Sequence, residues 1–117
     1  MVEVMRRGEI WVANLNPNKG NEVGKIRPVV VLQADELTAT GLGTIMAAPL
    51  TSQFWPAFEP LRVKISARGR LEKDCHVMVE QTRAFDRSRF GDGPLASLTP
   101  EELAAVEKSI KGVLGLL

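Results

Sequence analysis

Runs of apolar and polar residues change their period several times along the chain, and each change predicts an element. Glu9-Ile10-Trp11-Val12-Ala13-Asn14-Leu15 alternates as a half-buried strand does. From Asn16 to Lys25 turn formers replace apolar residues, which predicts a long, polar, mobile loop. Pro28 to Leu32 is then continuously apolar, as expected of a strand buried on both faces. Pro28 suits its start, because a first strand residue need not donate to the ladder. Asp35 to Gly41 predicts a short turn of helix, and Thr44 to Leu50 a third strand with Thr51-Ser52 at its end. Gln53 to Pro60, with two prolines and three aromatics, reads as a loop. Leu61-Arg62-Val63-Lys64-Ile65 alternates strictly, as an edge strand does, and His76 to Gln81 predicts one more strand.

At the C-terminus the period becomes helical. Thr99-Pro100-Glu101-Glu102 combines an N-cap, a first-turn proline and a capping-box glutamate. Leu103, Val106, Ile110, Val113, Leu114 and Leu117 then fall on one face. Short strands followed by one terminal helix predict a mainly β domain, a strongly curved sheet or small barrel with a C-terminal α-helix. No internal repeat or low-complexity segment interrupts it.

Composition narrows this picture. At 117 residues and 44% hydrophobic, residues 1–117 make a single domain. The net charge of only +1 gives no bulk field for nucleic acid, so any such case must come from local sites. Cys75 is the one cysteine, and no Cys/His cluster offers a metal site. The N-terminus lacks the apolar core of a signal peptide and no run is long enough to span a membrane. A reducing cytoplasmic setting is the expectation.

The candidate chemistry centres on Arg27, which ends the polar loop where a buried strand begins. A rigid strand would hold its five donors in place for a phosphate or a developing oxyanion. Thr51, ending another buried strand, could add a hydroxyl. RNA carries its own nucleophile in the 2′-OH, so orientation and charge stabilisation would suffice to cut it without metal or cofactor. Taken singly, the two read more readily as a surface arginine and a turn residue.

Wider motifs change that weighting. Arg6-Arg7-Gly8-Glu9-Ile10-Trp11 with Asn14-Leu15-Asn16-Pro17, and then Gly20-Asn21-Glu22-Val23-Gly24-Lys25-Ile26-Arg27-Pro28-Val29-Val30-Val31, resemble the opening of the MazF/PemK/Kid toxins. Pro49-Leu50-Thr51-Ser52, then Leu71-Glu72-Lys73-Asp74-Cys75 leading to Glu80-Gln81-Thr82-Arg83-Ala84-Phe85-Asp86-Arg87-Ser88-Arg89-Phe90, follow in the family's order, with Thr82 and Ala84 departing from its commoner Ile and Thr. The resemblance implies an SH3-like small barrel of the MazF/Kid/CcdB type, a homodimer, and a ribosome-independent endoribonuclease of single-stranded mRNA. It also implies a cognate MazE-like antitoxin, contact with DNA only through the antitoxin complex, and no metal or cofactor. Arg27 and Thr51 become the implied catalytic pair. Glu22, Lys25, Ser52, Trp55, Gln81, Arg83 and Asp86 become RNA-contact candidates, although Glu22 reads equally as a solvated loop carboxylate and Asp86 as a fold residue paired with an arginine.

Among the loop aromatics, Phe54 is expected in the core and Trp55 at the surface. His76 and Cys75 are expected to be structural. A gyrase-poisoning toxin of the same fold is the alternative from another class, but the chain ends Gly112-Val113-Leu114-Gly115-Leu116-Leu117 without the tryptophan that activity uses. A non-catalytic SH3-like binding module is the third reading, opposed by the presence of both Arg27 and Thr51.

Overall fold

The computed structural model describes residues 4–59 and 61–117. Three antiparallel strands carry the molecule: β1 (Glu9–Asn14), β2 (Ile26–Val31) and β3 (Thr44–Thr51). A short helix α1 (Asp35–Ala39) links β2 to β3. Then come β4 (Val63–Ile65), β5 (Cys75–Val77), β6 (Arg83–Asp86), β7 (Ala96–Ser97) and the helix α2 (Pro100–Val113). The strand order is β4-β5-β3-β2-β1-β7, with β6 also paired to β3, so the sheet curls around its middle.

Side-chain alternation explains the unbroken Val29-Val30-Val31. Val30 points into one core with Ile10, Ala48, Leu50 and Val77, which Val106 of α2 closes. Val29 and Val31 point into a second core with Trp11, Ala13, Ile45 and Phe85. Both faces of β2 are dry over Val29–Val31, so no polar position is tolerated there. The N-cap of α2 forms as its sequence predicts, with Thr99 Oγ1 accepting from the Glu102 N–H and Glu102 Oε1 accepting from the Thr99 N–H.

Pairing geometry also accounts for the two strand prolines. β3 pairs with β6 through Thr44–Ala47 and with β5 through Leu50 and Thr51. Pro49, which has no N–H to donate, stands where the strand changes partner. On its other edge β3 pairs with β2 only through Val29–Val31. Pro28 therefore lies where β2 has lost that neighbour.

Some expected elements differ. The strand expected over His76 to Gln81 is limited to Cys75–Val77; Met78 donates its N–H to the Pro49 carbonyl, and Val79–Gln81 turns as a 3-10 helix. In the antiparallel register a longer β5 would run along β3 past Pro49, where that edge is taken by β6 at Thr44–Ala47. The alternating Leu61–Ile65 run is strand only from Val63. β6 and β7 were not expected, and β7 is just two residues held by β1. On α2, Val106 is buried and Leu103 and Ile110 partly so, whereas Val113, Leu114 and Leu117 are exposed because the helix ends at Val113. Among the described residues no helix is long and apolar enough to cross a membrane.

Candidate active site

Val29 faces Pro49 and Val31 faces Ala47 across the β2–β3 ladder. Continuing that register by two residues sets Arg27 opposite Thr51, on the same face of their strands. The β2–β3 ladder has ended by then, at Val29 and Pro49, while Leu50 and Thr51 remain paired with β5 on the opposite edge. The two strands thus open a wedge, with Arg27 on one wall and Thr51 on the other. A cleft of about 510 Å³ occupies this region, lined by Lys25, Arg27, Thr51 and Ser52 together with Gln53, Arg70, Glu72 and Lys73.

Each member of the pair is half-engaged by the fold. Arg27 Nε donates to the Gly24 carbonyl at 2.9 Å, which fixes the guanidinium plane; among the described residues its terminal nitrogens have no protein partner. Thr51 is 7% exposed, and its Oγ1 accepts from the Gln53 N–H at 3.2 Å. That bond occupies the oxygen as an acceptor and leaves the hydroxyl proton free to donate into the cleft. Both residues therefore have donors to offer to the cleft they line.

The loop ahead of Arg27 is tied down by its own polar groups. Lys19 donates its N–H to Glu22 Oε1, Asn18 Nδ2 to the Glu22 carbonyl and Lys25 its N–H to Asn16 Oδ1. Arg89 Nη1 donates to the carbonyls of Asn14 and Asn16. Lys25 itself holds φ at +74°, a left-handed conformation that costs a residue with a Cβ about 1–2 kcal/mol. The backbone is bent there to bring the loop into β2.

The remaining expected site residues separate into other places. Glu22 pairs with Arg83 at 3.5 Å, and Gln81 Oε1 accepts from the Val23 N–H at 3.4 Å, so these three meet at the loop and not on the cleft lining. Trp55 is 53% exposed beside the Pro56–Phe58 turn. Asp86 accepts from both the hydroxyl and the N–H of Ser88, which hold its carboxyl below the usual carboxylate range; it caps the Arg87–Arg89 turn and forms no ion pair with a neighbouring arginine. Phe54, expected in the core, is instead 52% exposed and tilts over His76 with ring centroids 5.1 Å apart. Its ring lies against His76 of β5, outside both buried clusters. His76 is the register partner of Thr51, but its ring lies outside the cleft lining. Cys75 does line the cleft; burial, with Asp74 nearby, pushes its thiol up and away from the reactive thiolate.

Arg70, Lys73, Glu72 and Gln53 were not anticipated. Leu71-Glu72-Lys73-Asp74-Cys75 follows the family's order without implying a site role, and the charge density of Arg68 to Asp74 reads as an ordinary solvated loop. Among the described residues no three His, Cys, Asp or Glu gather as a metal site would require.

Comparison with known proteins agrees with the fold and with the motifs. The family model for PemK-like, MazF-like toxins of type II toxin–antitoxin systems matches residues 6–114. Endoribonuclease MazF of Staphylococcus saprophyticus is 34% identical over 114 residues, spanning 97% of this chain and 93% of that protein. Endoribonuclease MazF9 of Mycobacterium tuberculosis is 35% identical over 113 residues, spanning 92% and 94%. The crystal structure of MazF from Deinococcus radiodurans superposes with a TM-score of 0.84 at 28% identity, covering 97% of this chain and 99% of that one. A chain from the MazE-MazF crystal structure of the same organism superposes at 0.78 with 27% identity, covering 99% and 100%. Sequence, fold and length agree from one end to the other, and the chain belongs to the PemK-like, MazF-like toxins of type II toxin–antitoxin systems.

Proposed function

We propose that this endoribonuclease toxin cuts single-stranded mRNA in the wedge between Arg27 and Thr51, independently of the ribosome and without metal. The observation that carries the reading is the register: β2 and β3 part at the point where these two donors would face each other. The scissile phosphate sits between them. The 2′-oxygen of the preceding ribose attacks phosphorus, the bond from phosphorus to the 5′-oxygen breaks, and the products are a 2′,3′-cyclic phosphate and a 5′-OH end. Water takes the 2′-OH proton and returns one to the departing oxygen. Arg27 stabilises the charge that gathers on the phosphorane oxygens, and the Thr51 hydroxyl donates to one of them.

Two partners accompany this reading. The MazE-MazF structures among its neighbours support a cognate antitoxin for this chain. The excess of basic residues on the cleft suits an acidic, extended antitoxin segment that competes there with RNA. A homodimer is the expected assembly. The test is to incubate the purified protein with single-stranded RNA in excess chelator and map the new ends. Cleavage leaving 5′-OH and cyclic phosphate ends is expected; dependence on added magnesium, or 5′-phosphate ends, would overturn the mechanism.

A further inference from the structure

Arg27 and Thr51 engage one phosphate, yet the cleft holds more positive charge than one phosphate needs. Lys25, Arg27, Arg70 and Lys73 line it against a single carboxylate, Glu72. That excess of three positive charges is larger than the +1 of the whole chain, so the rest of the protein is net negative. Among the described residues five of the eleven other lysines and arginines stand in ion pairs, including Arg62 with Glu80 and Arg68 with Glu102. Among the described residues none of the four cleft cations has a carboxylate within ion-pair distance. Clustered, unpaired like charges repel each other and focus a field on anions.

The segment that presents Arg70 is fixed in place. Arg68 forks onto Glu102 of α2 at 2.6 and 2.7 Å, and Arg68 and Leu71 exchange backbone hydrogen bonds. The Arg70 N–H donates to the Leu95 carbonyl at 2.7 Å. Gly69, with φ at +53°, packs so close to that same carbonyl that a Cβ would lie 2.8 Å from it. The backbone is held on two sides while the Arg70 side chain stays exposed at the cleft. A rigid base and a free guanidinium suit bidentate recognition of a phosphate.

We propose that Arg70 and Lys73 grip a backbone phosphate next to the scissile one, so that cleavage depends on RNA flanking the cut. This rests on the reading that the Arg27–Thr51 cleft cuts RNA. Arg70 is a positioning residue here, since it touches the substrate away from the reacting atoms. The grip adds binding energy without touching the transition state, so its loss belongs in KM and leaves kcat nearly unchanged.

The experiment pairs Arg70→Ala, Arg70→Lys and Lys73→Ala with oligonucleotides of one length. One series carries a neutral methylphosphonate at each linkage flanking the cut in turn, and a 2′-deoxy version at the cut serves for binding. Arg70→Ala is expected to raise KM about ten-fold and to make the dependence of log Kd on log salt shallower by about 0.7, the amount that one neutralised phosphate contributes on a single strand. One particular neutral linkage should weaken the wild type at least as much as Arg70→Ala does and weaken Arg70→Ala and Lys73→Ala each by less. It should leave the double variant, Arg70→Ala with Lys73→Ala, unaffected, because the neutral linkage abolishes both contacts at once. Arg70→Lys should keep the salt slope. Losses that add at every linkage, or an unchanged KM in Arg70→Ala, would sink the proposal even while the wild type cuts RNA. A wild type that does not cut RNA would instead sink the reading of the cleft.

Discussion

The α2 face and the cleft use the same kinds of charged residue in opposite ways. Against α2, Arg68 forks onto Glu102, and Arg7 bonds both Glu107 and the Leu32 carbonyl. In the cleft, Lys25, Arg27, Arg70 and Lys73 gather with one carboxylate on the lining and, among the described residues, no ion pair. The first set completes its hydrogen bonds within the chain and holds the helix to the sheet. The second set leaves donors open and keeps strain in the backbone at Lys25. Such a contrast separates residues that stabilise the fold from residues available to a substrate. It can be tested by asking whether each set affects only its own property.

The largest effect is expected at Arg27. Arg27→Ala should lower kcat/KM by about a thousand-fold or more, equivalent to roughly 4 kcal/mol of transition-state stabilisation, with the thermal melt little changed. Arg27→Lys keeps the charge but loses the fork and should recover only a small part. Steady-state cleavage of a fluorescent RNA beside a melting curve checks both. A melt that falls together with the activity would place Arg27 with the structural set.

Thr51→Val should come next, at about a hundred-fold in kcat, because it removes one donor while keeping the side chain's shape. It also costs the Gln53 N–H its acceptor, but that residue is exposed and water can replace it. Thr51→Ser should restore most of the rate. Equal rates in Thr51→Val and wild type would remove Thr51 from the mechanism.

How much of the molecule is legible in its sequence follows the range of the interactions. β1, β2, β3, α1 and the start of α2 are legible, because alternation, a continuous apolar run and a capping box act within a few residues. β6 and β7 exist because β3 and β1 have free edges to offer, which is a property of distant sequence. The same distinction divides the site. Arg27 and Thr51 stand out at the ends of buried strands, and Lys25 and Ser52 come with them. Arg70 and Lys73 lie on a segment held at the cleft through Gly69 and the Arg68–Glu102 pair, long-range contacts that the local pattern does not announce. Motif order groups Gln81, Arg83 and Glu22 with the catalytic pair, whereas the fold gathers them at the loop.

On the α2 face the expected effect is on stability alone. The Arg68 guanidinium, hydrogen-bonded to Glu102, holds that carboxyl below the usual carboxylate range. The unfolded chain, with the ordinary value, therefore takes up the proton first as pH falls. The stabilisation from the pair is complete above the ordinary carboxylate value and is lost as pH falls through the lowered one. Glu102→Gln can keep the capping box but not the charge. It should be about 1 kcal/mol less stable than wild type at neutral pH, with the gap closing in acid and kcat unchanged. A gap that stays constant from neutral pH to well below the carboxylate range would show that the charge pair contributes nothing.

The smallest effect is expected at Lys25, where the cleft stores strain. Lys25→Gly should relieve the left-handed conformation and, after the entropy that glycine adds to the unfolded chain, leave the protein about 0.5 kcal/mol more stable. Lys25→Ala keeps a Cβ and so keeps the strain, and its melt should stay near the wild type. Both lose the same charge from the cleft, so both should weaken RNA binding alike and with the same reduced salt slope. The two variants separate backbone from charge at one position. If Lys25→Gly were less stable than Lys25→Ala, the bend before β2 would be no strain at all, and the cleft would differ from the α2 face in charge alone.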